Sequence, residues 1–91
     1  MTASSPGRRD ERIGMRSGRV YALSGARVAL RRVRPSGPGT ARVELSLMRP
    51  DGTDRVWVTE GESFPVGGDR WTLDRVDHAD GADPVAWIVE R

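Results

Sequence analysis

Residues 21–33 and 64–76 are two copies of one unit, and they align without a gap. Gly25, Arg27, Leu30, Arg32 and Val33 meet identical residues in Gly68, Arg70, Leu73, Arg75 and Val76. Tyr21 and Leu23 meet the similar Phe64 and Val66. A repeat constrains the fold more than either copy does. Both copies must take one conformation, and neither buries its apolar face alone.

The first copy is ambiguous by itself. Ala26, Ala29, Leu30 and Val33 have the spacing of a helical stripe, which Pro35 would end. Its partner follows Gly67-Gly68-Asp69 and begins Arg70-Trp71-Thr72, which favours a strand. Both copies are therefore read as strands. In each, Val28/Trp71 and Leu30/Leu73 share a face, while Val33/Val76 fall out of phase. A bulge near Arg31-Arg32 and near Asp74-Arg75 would restore the phase.

Between the copies, Ala41, Val43, Leu45 and Leu47 alternate with Arg42, Glu44, Ser46 and Met48, a strand with one buried face. Pro50-Asp51-Gly52 turns the chain into a strand over 54–59. A three-residue loop pairs Arg49 with Thr53 and puts Trp57 opposite Leu45, on the core face. A two-residue Asp-Gly loop instead leaves Trp57 opposite Ser46. Proline at the first turn position favours the core placement, and one residue of slip reverses it. Phe64-Pro65-Val66 is a short edge strand, Asp77–Asp83 a polar loop, and Val85, Trp87 and Val89 mark a closing strand, with Trp71 and Trp87 wanted in the core.

The expectation is an all-β domain of about seven short antiparallel strands, a compact barrel or sandwich built from two β-units, without a helix. The strand over 54–59 is expected to be an addition to the duplicated pattern. Residues 1–19 are polar and read as a flexible arginine-rich arm, leaving 20–91 as the single domain.

Charge is unevenly placed. Residues 1–34 hold nine arginines against Asp10 and Glu11, and residues 35–91 hold six against eleven acids. All 15 basic residues are arginine, and lysine, asparagine and glutamine are absent. A GC-rich source explains that pattern, because the codons for lysine and asparagine are AT-rich. There is no cysteine, which fits a reducing compartment. The basic N-terminus is followed by no apolar run, so a cytoplasmic location without a membrane span is expected.

Chemistry is sparse. His78 is the single histidine and lies in an acidic loop. No nucleophile elbow places Ser24 or Ser63 beside a base. Asp74, Asp77, Asp80 and Asp83 recur every third residue, but Ala79 and Gly81 fall where a calcium loop needs ligands. Gly67-Gly68 lies between two strands, which makes it a hairpin turn rather than a phosphate cradle. No catalytic residue, metal or cofactor is assigned.

The segment Gly61-Glu-Ser-Phe-Pro-Val-Gly-Gly-Asp-Arg-Trp-Thr-Leu-Asp-Arg-Val76, followed by a polar loop and a strand with Trp87, resembles small actinobacterial proteins grouped as a domain family of unknown function. The likeness covers roughly residues 20–91 and consists of turn glycines and core apolar positions. More distantly, the chain is similar to bacterial immunoglobulin-like domains. Neither resemblance implies catalytic residues.

Two binding roles remain. The first is a non-enzymatic module that contacts another protein, or a second copy of itself, through a surface holding Arg42, Met48, Arg55 and Trp57. In this role the basic arm docks on an acidic partner. The second is a small barrel for single-stranded nucleic acid, using Arg27, Arg31, Arg32 and Arg34 with arm residues Arg8, Arg9, Arg12 and Arg16. The latter requires the arginines of 27–34 to gather on one exposed face.

Overall fold

The computed structural model describes residues 12–90. Eight strands form among them: β1 (Arg12–Arg16), β2 (Val20–Leu23), β3 (Ala26–Gly37), β4 (Thr40–Arg49), β5 (Gly52–Thr59), β6 (Ser63–Val66), β7 (Asp69–Asp77) and β8 (Val85–Glu90). They make two antiparallel sheets, β1-β8-β7-β6 and β2-β3-β4-β5. Each strand is followed by its spatial neighbour, except where the chain changes sheet after β1 and after β5. Pairing of β8 with β1 completes the circuit. This is the order of an up-and-down barrel, flattened into two layers. It is not the Greek key of immunoglobulin sandwiches, so that distant likeness does not extend to topology.

The repeat now has a structural meaning. Its offset of 43 residues, Leu30 against Leu73, also carries β2 onto β6 and the start of β3 onto the start of β7. The same offset carries β1 onto the end of β5, with Ile13 over Val56 and Met15 over Val58. The strand at 52–59 is therefore no addition to the pattern. It is the counterpart of β1, and each exchanges into the sheet of the other unit. Residues 12–16 of the expected arm are this strand, and residues 1–11 lie outside the described residues.

Both expected bulges are present. The register of β3 on β4 shifts between Leu30 and Arg32, and that of β7 on β8 between Leu73 and Arg75. The same two leucines also meet the corners. Ser17 bridges Leu30, while Leu73 donates to the Glu62 carbonyl at 2.9 Å and accepts from the Gly61 amide at 2.7 Å. Each bulge bends its strand where the chain crosses between sheets.

The core fills the space between the sheets. Met15, Val28, Val43, Leu45, Leu73, Ala86 and Ile88 are fully buried, with Leu30, Phe64, Trp71 and Val58 nearly so. The closing strand turns Ala86 and Ile88 inward. Trp87 lies on the outer face instead of in the core. It crosses Gly14, where an added Cβ would meet the indole at 3.0 Å, and donates to Asp77 at 2.8 Å.

Glu60 ties the layers together. Its Oε1 accepts from the Ala41 amide of β4 and its Oε2 from the Val76 amide of β7, both at 2.7 Å. Its own amide donates to the Ala41 carbonyl at 3.0 Å. Three charge-assisted or backbone bonds thus close one end of the sandwich.

Candidate protein-binding face

The hairpin between β4 and β5 decides which side chains meet solvent. Its register pairs Arg49 with Gly52, Leu45 with Val56 and Glu44 with Trp57. Neither expected loop forms. Pro50 and Asp51 are the two central residues, as proline's fixed φ suits the first central position of an unprimed turn. Such a turn does not match the strand twist, and Gly52 absorbs the difference at φ 150°. The slip sends Trp57 to the outer face, where it is 42% exposed. The expected core placement of Trp57 is thereby overturned.

Alternation then assembles one surface. Positions facing outward on β2-β3-β4-β5 are Val20 and Ala22; Arg27, Ala29, Arg32 and Arg34; Arg42, Glu44, Ser46 and Met48; and Thr53, Arg55, Trp57 and Thr59. Arg31 joins them. It is the extra residue of the bulge, lies with Arg32 between the inward Leu30 and Val33, and is exposed. The face thus gathers six arginines around one carboxylate, Glu44. Only Arg32 pairs with it, at 3.6 Å. Among the described residues, the other five have no carboxylate within 4.0 Å.

Trp57 stands at the β5 edge of this charged face. The Arg42 guanidinium lies over its indole, 4.9 Å from the ring centroid. The contact is diagonal across β4 and β5, within reach of long side chains. Val20, 57% exposed, is the other large apolar residue open to solvent among the described residues. It lies at the far edge on β2.

The related sheet is built differently at matching places. The row Arg32–Glu44–Trp57 corresponds to Arg75–Trp87–Gly14. Arg75 pairs with Asp77 at 3.2 Å, Arg12 with Asp74 at 3.3 Å, and Arg16 with Asp83. Among the described residues, the outer face of β1-β8-β7-β6 thus leaves one of its four arginines, Arg70, without a carboxylate within 4.0 Å, whereas the outer face of β2-β3-β4-β5 leaves five of six. Coulomb repulsion among neighbouring guanidinium groups makes the second face receptive to negative charge.

Sequence reasoning found several of these residues without knowing that they met. Arg42, Met48, Arg55 and Trp57 lie on this face, and so do Arg27, Arg31, Arg32 and Arg34. Arg12 and Arg16 lie on β1 and are tied to Asp74 of β7 and to Asp83 of the loop between β7 and β8, while Arg8 and Arg9 fall outside the described residues. Val20 was not foreseen, and a lone valine before a tyrosine gives no signal of exposure.

His78 occupies a turn at φ 57° and lines a shallow cleft with Arg16, Asp77, Asp83 and Trp87. Asp77 is held by Trp87 and Arg75, and Asp83 by Arg16. These bonds orient the acids toward structural partners rather than toward the imidazole. Among the described residues, no three His, Cys, Asp or Glu side chains converge to hold a metal ion. Among them, too, no helix is long and apolar enough to cross a membrane.

A family described as a family of unknown function, DUF6406, matches residues 10–91. This protein belongs to that family. The matched span includes β1, so the DUF6406 domain here takes in both exchanged strands and both bulges. No curated protein and no solved structure matches the chain. The fold and the arginine face of this DUF6406 member are therefore argued from its own residues.

Proposed function

We propose that this DUF6406 protein is a non-enzymatic binding module that docks an acidic surface of another protein on the outer face of β2-β3-β4-β5. The observation that carries this reading is the set of five arginines that have no carboxylate partner among the described residues, on the face they share with exposed Trp57. Arginine and tryptophan are enriched where interfaces hold their binding energy. A rim of unpaired positive charge accelerates encounter with a negative partner and rejects a positive one. The absence of cysteine supports a cytoplasmic setting, and the arginine-only composition supports an actinobacterial, GC-rich source.

Single-stranded nucleic acid is the second reading. It is favoured by one observation, the gathering of Arg27, Arg31, Arg32 and Arg34 on a single face. A strand of bases needs successive stacking platforms, however, and this face offers one, Trp57. An acidic protein surface fits it better.

The test compares wild type with the triple variant R34E/R42E/R55E and with R12E/R16E on the other sheet. Each is used to capture partners from nuclease-treated host extract at low and high salt. We expect an acidic protein retained by wild type and R12E/R16E and lost with R34E/R42E/R55E. Equal capture by all three would overturn the assignment of the face. Capture abolished by nuclease, with oligonucleotide binding by the purified protein, would shift the conclusion to nucleic acid.

A further inference from the structure

The arginine face ends at a sheet edge, and that edge is unusually open. Among the described residues, β5 pairs with β4 on one side only. It spans eight residues, against five for β1 and four each for β2 and β6, the other edge strands. β6 is also blunted by Pro65, which has no amide to offer.

The hydrogen bonds show which groups of β5 point outward. The Glu60 amide donates to Ala41 of β4, so even-numbered positions address β4. Thr59 addresses the opposite side. Its amide donates to the Glu62 side chain at 2.8 Å, and its carbonyl accepts from the Glu62 amide at 2.9 Å. By the two-residue period, Trp57, Arg55 and Thr53 also turn their N–H and C=O groups to the free edge. Among the described residues, no side chain and no turn or loop carbonyl accepts from these three amides.

Glu62 already does at Thr59 what an added strand would do along the rest of the edge. It is a glutamate, and it satisfies both backbone groups of one β5 residue. The three residues left open are also those whose side chains belong to the arginine face. Any residue seated directly opposite Arg55 or Trp57 would project its own side chain onto that face.

We infer that the free edge of β5 takes an extended acidic segment of the partner as an added strand, its acidic side chains alternating onto the arginine face. This rests on the proposed function and narrows it to one recognition mode. Main-chain bonds to Thr53, Arg55 and Trp57 give affinity, and the arginines select the charge. A second copy of this chain is a poor occupant, because edge-to-edge pairing would bring two uncompensated arginine faces together.

The experiment uses the full chain and a blocked peptide of alternating glutamate and valine, with a lysine–valine peptide as control. Binding is followed by titration at low salt and by amide hydrogen exchange. The glutamate peptide should bind, the lysine peptide should not, and exchange should slow at Thr53, Arg55 and Trp57. R55Q removes the charge and keeps the amide; R55P also removes the amide, on the side away from β4. R55P should weaken peptide binding about tenfold beyond R55Q, the effect of one or two main-chain bonds. Exchange on wild type serves as the readout if R55P does not fold.

Peptide binding that Arg42→Glu abolishes, with β5 exchange unchanged, would overturn strand addition and leave the face reading standing. No binding of the acidic peptide at low salt would overturn both. Protection of the same amides by raised protein concentration alone would assign the edge to a homodimer and overturn the inference.

Discussion

A Cβ placed on Gly67 would fall 1.9 Å from the carbonyl oxygen of Ser24. The two residues occupy the same position in the two copies of the repeat, each opening a hairpin turn at positive φ, 49° for Ser24 and 57° for Gly67. The duplicated hairpins therefore touch at their tips, on the approximate two-fold of the molecule. Trp71 strengthens the join by donating its indole N–H to the Ser24 hydroxyl at 3.1 Å.

Gly67→Ala should destabilise the protein by about 3 kcal/mol or more. Left-handed backbone in a residue with a Cβ accounts for about 1–2 kcal/mol, and displacement of the opposing turn adds the rest. Gly68→Ala is the control. It shares positive φ, at 95°, but its Cβ would meet nothing within 4 Å. That variant should lose only the backbone part, about 1–2 kcal/mol. Urea unfolding followed by tryptophan emission compares the two, and equal losses would show that the contact between tips contributes nothing.

Glu60 receives amides from β4 and β7, so it acts as a clamp between sheets that β-ladders alone do not join at that end. Hydrogen bonds to a charged acceptor contribute about 1.5–3 kcal/mol each. Glu60→Gln keeps one acceptor oxygen and turns an NH₂ group toward the second amide. A loss of about 2–3 kcal/mol is expected, with faster exchange at whichever of Ala41 or Val76 is left unpartnered. Unchanged exchange at both amides would refute the clamp.

Met15 is fully buried although it lies in a run dominated by charged and small residues. Met15→Ala should cost about 2–5 kcal/mol, as for other core truncations. A variant starting at Gly18 also loses the pairing of β1 with β8 and exposes the β8 edge. It should unfold without a cooperative transition in urea. A cooperative transition of wild-type midpoint would mean that β1 is dispensable.

These residues show what was legible in the sequence and why. The repeat predicted the shared strands and both bulges, because a phase error that recurs in two copies cannot be chance noise. β1 was not read, since Ile13 and Met15 are too few to signal burial among arginines and glycines. The clue lay in extending the repeat backwards, where Ile13 and Met15 align with Val56 and Val58. Trp57 was misplaced because a one-residue change in loop length inverts a strand's faces, and composition does not fix loop length. Trp87 was misplaced for a related reason. Val85, Trp87 and Val89 alternate as well as Ala86 and Ile88, and β8 is paired and packed on both of its faces. The arginine face was legible as residues but not as a surface. Its assembly depends on the bulge that sets Arg31 and Arg32 together and on the register that brings Trp57 beneath Arg42.

The two outward tryptophans make opposed predictions that test the face directly. Trp87 is half-buried against Gly14, bonded to Asp77 and flanked by Arg75, so Trp87→Ala should cost about 3 kcal/mol in stability. Trp57 is exposed and touches Arg42, an interaction contributing about 0.5–1 kcal/mol at an exposed site. Trp57→Ala should therefore shift the urea midpoint only slightly. In the intact protein, Trp57 should supply the acrylamide-accessible share of the emission, which Trp57→Ala removes and Trp87→Ala leaves in place. A large, conspicuous aromatic that stability does not require is a candidate for binding instead. If Trp57→Ala proved as destabilising as Trp87→Ala, Trp57 would be a structural residue, and the reason for centring a partner on it would be gone.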